Sequence, residues 1–265
     1  MPTLIRTRSG VALLALLVPA SAASQQFEGV LTMRETSFEI DAVLPMFGGS
    51  ADTLLHQSLA DLRVEAAAAN AGIEELTLTY YIKGNKLRTS NGGSGPDDGY
   101  MILDFGSGSY QLVDPSQKLV IEWVADSAEL RAIENEEPAD EGAVDVEPLN
   151  ETRTINGFSC RGYRAVYEGG LVEVTWLTET LQDLTTAFAE LAALSQRFGD
   201  PEGGDQRVDR FLEHGFPIVT MTVDPELGEF SGAEVLAATR QAVSDTLFTV
   251  PAGYLRVAMP KQEQP

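Results

Sequence analysis

A single cysteine, Cys160, is all the thiol chemistry this 265-residue chain possesses. One cysteine cannot close an intramolecular disulfide, so stability has to come from buried apolar surface. With no histidine near it in sequence, Cys160 reads as a small buried hydrophobe rather than a nucleophile. The two histidines, His56 and His214, are too few for a histidine-rich metal centre, and neither stands in a His-Glu-x-x-His arrangement. No metal ligand and no cofactor are therefore expected. Positive charge is also scarce: 18 lysines and arginines face 40 acidic residues, a net charge of -22. So acidic a surface repels nucleic-acid phosphates and anionic lipid head groups, and excludes both as electrostatic partners.

Long apolar runs are missing too. The longest, Val11 to Val18, is far shorter than the roughly 20 residues that cross a bilayer. It follows Arg6 and Arg8 and precedes Pro19-Ala20-Ser21-Ala22-Ala23, the three-part order of a secretory leader. Residues 1–23 are expected to be a signal peptide, cleaved near Ser24. Loss of Arg6 and Arg8 takes the charge from -22 to -24. No cysteine follows the apolar run to be acylated, so the expected product is a soluble periplasmic or secreted protein with no membrane span.

Catalytic signatures are absent. Gly92-Gly93-Ser94-Gly95-Pro96 fails the nucleophile-elbow pattern at its last position. The glycine-rich stretches lead into strands rather than helices, as in Gly99-Tyr100-Met101-Ile102-Leu103, so no phosphate cradle is expected. The chain reads as non-enzymatic, and carboxylate catalysis is the reading with least support.

What is present is short strands. Phe27 to Met33 is apolar-rich, and Glu75 to Lys83 alternates, Leu76, Leu78, Tyr80 and Ile82 against Thr77, Thr79 and Tyr81. Gly84-Asn85, Asp114-Pro115, Asn156-Gly157 and Gly169-Gly170 mark turns between further strands at Lys86 to Ser90, Tyr110 to Val113 and Lys118 to Val124. Trp123 closes Leu119-Ile121-Trp123 and Trp176 closes Val172-Val174-Trp176, both in strict alternation. Apolar residues recur at helical spacing in Asp52 to Asn70 (Leu55, Leu59, Leu62, Ala66) and in Leu181 to Phe198 (Leu184, Phe188, Leu191, Leu194). Arg207 to His214 is a third, short helical stretch. Asn91 to Gly99 reads as a flexible connection, and Asp126 to Glu151, with ten acids and only Arg131 in opposition, as a solvated loop. The expected fold is α+β: an antiparallel sheet with about three helices over one face.

Several stretches carry a resemblance: Tyr80 to Arg88, Asp114 to Lys118, Thr154 to Tyr163, Glu173 to Trp176 and the closing Leu247 to Tyr254. In order and spacing they resemble the bacterial family known as domain of unknown function 4412, over about Phe27 to Val257. That family is similar to periplasmic lipoprotein carriers of the LolA and LolB type. The resemblance implies one domain over residues 24–265, a curved antiparallel half-barrel whose helices close over the concave face and shelter lipid chains. It also makes Glu234 to Val243, which reads from composition as an Ala-rich helix, a strand. The acidic loop at 126–151 has no counterpart in the carriers. On this basis the chain is expected to bind a lipid, lipoprotein acyl chain or other apolar ligand, with Leu78, Tyr80, Trp176, Leu184 and Phe188 lining the site. The alternative is an envelope structural or interaction protein without a ligand, binding calcium through its acidic loop.

Overall fold

The structure is a computed structural model that describes residues 27–91, 99–124, 146–167, 170–185, 188 and 211–258. Twelve strands form one open, curved sheet. In chain order they are β1 (Glu28–Glu39), β2 (Glu74–Lys83), β3 (Lys86–Asn91), β4 (Tyr100–Asp104), β5 (Ser109–Asp114), β6 (Leu119–Val124), β7 (Val146–Ile155), β8 (Phe158–Val166), β9 (Val172–Thr178), β10 (Phe216–Asp224), β11 (Glu229–Arg240) and β12 (Leu255–Ala258). Their order across the sheet is β12-β6-β5-β4-β3-β2-β1-β11-β10-β9-β8-β7. Every neighbouring pair is antiparallel except β12 with β6, which runs parallel.

Local chemistry sets the turns. Asn156 and Gly157 both take positive φ, 49° and 86°, as a two-residue hairpin between β7 and β8 requires. Three other hairpins begin on an aspartate that closes its strand and accepts from amides ahead of it. Asp104 Oδ1 accepts from Gly106 at 3.0 Å, Asp114 Oδ1 from Gln117 at 3.0 Å, and Asp224 Oδ1 from Glu226 at 2.9 Å.

The helical stretch Asp52 to Asn70 is two helices rather than one, α1 (Ala51–Leu55) and α2 (Leu59–Ala69). The break comes at Ser58, whose hydroxyl accepts from the Asp61 amide at 3.1 Å and so starts a new helix. Asn70, at φ 55°, ends it in the left-handed conformation. Leu59, Leu62 and Ala66 are buried beneath α2. A Cβ on Gly232 of β11 would lie 2.8 Å from Leu59 Cδ1, so any side chain there would have to displace Leu59. Arg63 of α2 pairs with Glu75, and lies 3.7 Å from Glu234, while Asp52 of α1 pairs with Arg164 of β8 at 3.0 Å.

These two α-helices are described from end to end, and Thr185, Phe188, Phe211 and Leu212 are α-helical as well. The expected leader (1–23), residues 92–98, the Gly169 turn position and the acidic residues 126–145 lie outside the described residues. So does most of the helix expected over Leu181 to Phe198, of which a 3-10 turn at Gln182–Leu184 and helical Thr185 and Phe188 are described, and the start of the Arg207 to His214 stretch, of which Phe211 and Leu212 are helical. The end of the expected acidic loop is corrected. Val146 to Glu151 belongs to β7, because it pairs with β8 from Val146 opposite Ala165. The Glu234 to Val243 stretch is strand up to Arg240, as part of β11.

Antiparallel partners share a sheet face. Counting pairings from β2 through β1, β11 and β10 to β9 places Tyr80 and Trp176 on opposite faces. The Trp176 face of β9, β10 and β11 carries α1 and α2. Across β2 to β6 that same face is crossed by residues 241–254. There Val243 and Phe248 bury Tyr100, Ile102, Val113 and Val120. This strap is pinned by its backbone: Lys83 Nζ donates to the Val243 carbonyl at 3.0 Å and Arg88 Nη1 to the Leu247 carbonyl at 3.1 Å. The Arg88 guanidinium also stacks 3.8 Å from the Tyr100 ring centre. Beyond the strap, the chain enters β12 beside β6.

Candidate functional site

The Tyr80 face from β1 to β12 is an apolar surface built by strand alternation. One cross-strand row reads Ile82, Leu87, Leu103, Tyr110, Trp123. The next reads Leu31, Tyr80, Thr89, Met101, Leu112, Ile121, Val257. Leu255, paired with Leu119, extends the surface at the sheet edge. Charged partners such as Arg256 with Glu122 fall on the alternate positions, hence on the other face.

Along these rows exposure is lowest at β1 to β3 and highest toward β12. Leu31, Ile82, Leu87 and Leu103 are buried, and Met101, Tyr110, Ile121 and Trp123 are half-buried. Leu112 and Val257 are each 43% exposed and Leu255 66%. A buried core thus continues, without a change of chemistry, into apolar side chains that meet solvent.

Two polar groups interrupt the buried part. Thr89 is 8% exposed and its Oγ1 has no hydrogen-bond partner among the described residues. Tyr80, its register partner, is equally buried, and its hydroxyl makes no hydrogen bond among the described residues. Burial pushes the Tyr80 phenol well above its ordinary value, with the Glu35 carboxylate adding to the effect, so the hydroxyl keeps its proton. The Thr89 hydroxyl, buried without a partner among the described residues, costs about 1–3 kcal/mol. Glu35 shares this face, opposite Leu76, and desolvation raises its carboxyl above the ordinary 4.5.

Of the five residues expected to line a site, four gather here or beside it. Tyr80 meets the Phe188 ring at 5.4 Å between centres, and Phe188 meets Phe216 edge-on at 5.1 Å. Leu78 is half-buried two residues from Tyr80 on the same face. Leu184 is fully buried in a turn tied down by Asp183, which accepts a bidentate pair from Arg240 at 2.7 and 2.9 Å. Trp176 is set apart on the other face, 1% exposed. It packs over Gly162, where a Cβ would come within 3.0 Å of the indole, and beneath the Arg153 guanidinium at 4.2 Å.

Sequence reading missed Thr89, Leu112, Leu255 and Val257. The signal for the last two is plain in retrospect, since Leu255-x-Val257 alternates directly after the Pro251-x-Gly253 turn. Thr89 gives no such signal, because a threonine in a strand is ordinary until its burial is known.

Other polar sites are structural in character. Glu173 is buried at 3% exposure and accepts from Tyr167 and Thr175, each at 2.9 Å. A shallow depression of about 350 Å³ lies over the irregular pairing of β7 with β8, lined by Pro148 to Thr152 and Arg161 to Tyr163. Cys160 is buried, and burial pushes its thiol up to about 11. Among the described residues no three His, Cys, Asp or Glu side chains converge as metal ligands, and no helix is long and apolar enough to cross a membrane.

Comparison with known proteins gives one family match: the profile described as Domain of unknown function (DUF4412) fits residues 62–254. No curated protein matches. Among solved structures the chain is similar to an uncharacterized conserved protein from Thermus thermophilus, at 8% identity and TM-score 0.41, covering 86% of this chain and 90% of that one. It is also similar to a LolA superfamily protein from Nitrosomonas europaea, at 9% identity and TM-score 0.32, covering 85% and 91%. A third is a putative outer membrane lipoprotein-sorting protein domain from Vibrio parahaemolyticus, at 10% identity and TM-score 0.28, covering 83% and 89%. These likenesses are distant, and the architecture described above stands on the strand register alone.

Proposed function

The chain belongs to the family described as Domain of unknown function (DUF4412), and from that premise we propose that it is a non-enzymatic protein of the cell envelope that holds an acyl chain or similar apolar ligand. The ligand lies on the Tyr80 face, along Met101, Leu112, Ile121, Trp123 and Val257. One observation carries this reading: the apolar surface that begins buried at Leu87 and Leu103 ends half exposed at Leu112 and Val257. Surface of this kind marks a binding site more often than a filled core. Burial of each ligand methylene on it contributes about 0.8 kcal/mol, so a long chain needs no catalytic or ionic help to bind. The leader expected at residues 1–23 and the resemblance to lipoprotein carriers favour an exported protein meeting such ligands.

The test is mass spectrometry of organic extracts from the purified native protein, paired with binding of an apolar fluorescent dye. The expected outcome is a co-purifying lipid and a dye signal lost in a Leu112→Asp, Val257→Asp variant. A clean extract together with no dye binding would refute the proposal and leave an envelope interaction protein.

A further inference from the structure

Resting on the reading of the Tyr80 face just given, we propose that its ligand is a neutral long-chain acyl ester, whose carbonyl oxygen accepts hydrogen bonds from the Thr89 and Tyr80 hydroxyls. The two residues are register partners at the buried end of the apolar surface; among the described residues Thr89 Oγ1 is buried without a hydrogen-bond partner, and the Tyr80 hydroxyl makes no hydrogen bond. The contrast with Thr36 is instructive. Its hydroxyl is also unpartnered among the described residues, but it sits on the opposite face, opposite Gly232 where Leu59 of α2 packs close, and faces no open surface. Thr89 instead lies between Tyr80 and Met101, in the row that runs out to Leu112 and Val257.

Charge on this face disfavours an anion. By register, the positions of β1 to β6 and β12 that share the Tyr80 face hold no lysine or arginine. Lys83, Arg88, Lys86 and Arg256 all fall on the alternate positions. The carboxylate that does share the face near Tyr80 is Glu35, which has no ion-pair partner among the described residues and acts on the Tyr80 phenol through its charge. Arg240 of β11 shares the face through its pairing with Gly29 but is held bidentately by Asp183. Among the described residues near Tyr80, an ionised fatty acid or a phosphate would therefore meet no free cation and would have a like charge nearby. An ester carbonyl carries no charge, accepts from both hydroxyls and satisfies the two groups the fold leaves open.

The experiment uses the full chain and three probes at neutral pH: the dye 1-N-phenylnaphthylamine, monoolein and oleate. The expected result is that monoolein displaces the dye at a concentration about tenfold or more below that of oleate. Tyr80→Phe and Thr89→Val should each weaken monoolein by about threefold to tenfold more than they weaken the dye, with thermal unfolding reporting that the variants are folded. Glu35→Gln should strengthen oleate and leave monoolein alone. Oleate displacing the dye as well as monoolein does, or a Tyr80→Phe, Thr89→Val double variant that binds monoolein like the unaltered protein, would overturn the ester assignment alone. No binding of dye or monoolein would overturn the assignment and the apolar face together.

Discussion

At β9 the chain is closed on both sides: Val174, Trp176 and Leu177 are all 3% exposed or less, and even Glu173 and Thr175 of the same strand are buried. At β6 and its neighbour β12, strands of the same alternating composition leave Ile121 and Trp123 half-buried and Val257 and Leu255 in contact with solvent. The difference lies in what covers them. The Trp176 face is held under α1 and α2 by ion pairs from Arg63 and Asp52, and the strap over β2 to β6 covers the face that Tyr80 does not share. Alternation alone says that a strand has an apolar side; the elements packed against that side decide whether it becomes core or binding surface.

The comparison breaks most visibly at Trp176. Trp176→Ala should lose about 3–5 kcal/mol in urea unfolding, the usual result of deleting a fully buried indole, while binding of an apolar dye by the remaining folded fraction stays unchanged. Gly162→Ala attacks the same contact from the other side. The added methyl has to push against Leu149 and the indole at 3.0 Å, and a loss of about 1–3 kcal/mol in the same assay is expected. Leu112→Asp inverts the pattern: a stability change of about 1 kcal/mol or less, with most dye binding lost.

Glu35 sharpens the comparison through pH. Its folded-state carboxyl titrates above the ordinary 4.5, so folding disfavours its ionised form. The stability this linkage supplies is present below the unfolded value and lost as pH rises through the folded value. Glu35→Gln should therefore raise Tm slightly at neutral pH, with the gain vanishing as the pH falls below 4.5, as differential scanning fluorimetry across pH would record. The smallest effect is expected at Cys160, on the Trp176 side. With its thiol held up to about 11 and buried, it should not react with an aromatic disulfide reagent at neutral pH until the protein is denatured.

Much of this was legible in the sequence. Tyr80 and Ile82 share a face because the Glu75 to Lys83 stretch alternates, and the Asp114-Pro115 and Asn156-Gly157 turns fall where short-range chemistry puts them. The helix over Asp52 to Asn70 read as continuous because its apolar spacing runs through residues 56–58, whereas the Ser58 cap that divides it depends on one hydroxyl finding an amide. The face of Trp176 was not legible at all. It depends on the number of strands between β2 and β9 and on irregular pairings at Thr32/Met33 and Pro217/Val219, which are properties of long-range register. The orphaned Thr89 hydroxyl was hidden for the same reason, since a missing partner is visible only once every neighbour is in place.

The parallel pairing of β12 with β6 also bears on how the chain reaches its final shape. Leu255 meets Leu119 across more than half the chain, and the strap must already lie across β2 to β6 before that meeting occurs. Such distant closure is slow and belongs late in folding. Until then β6 is a bare edge beside an apolar surface, the kind of intermediate that associates with its own copies. The final strand therefore acts as a seal on a transient hazard, and the rate at which it docks should govern how cleanly the protein refolds from denaturant at high concentration.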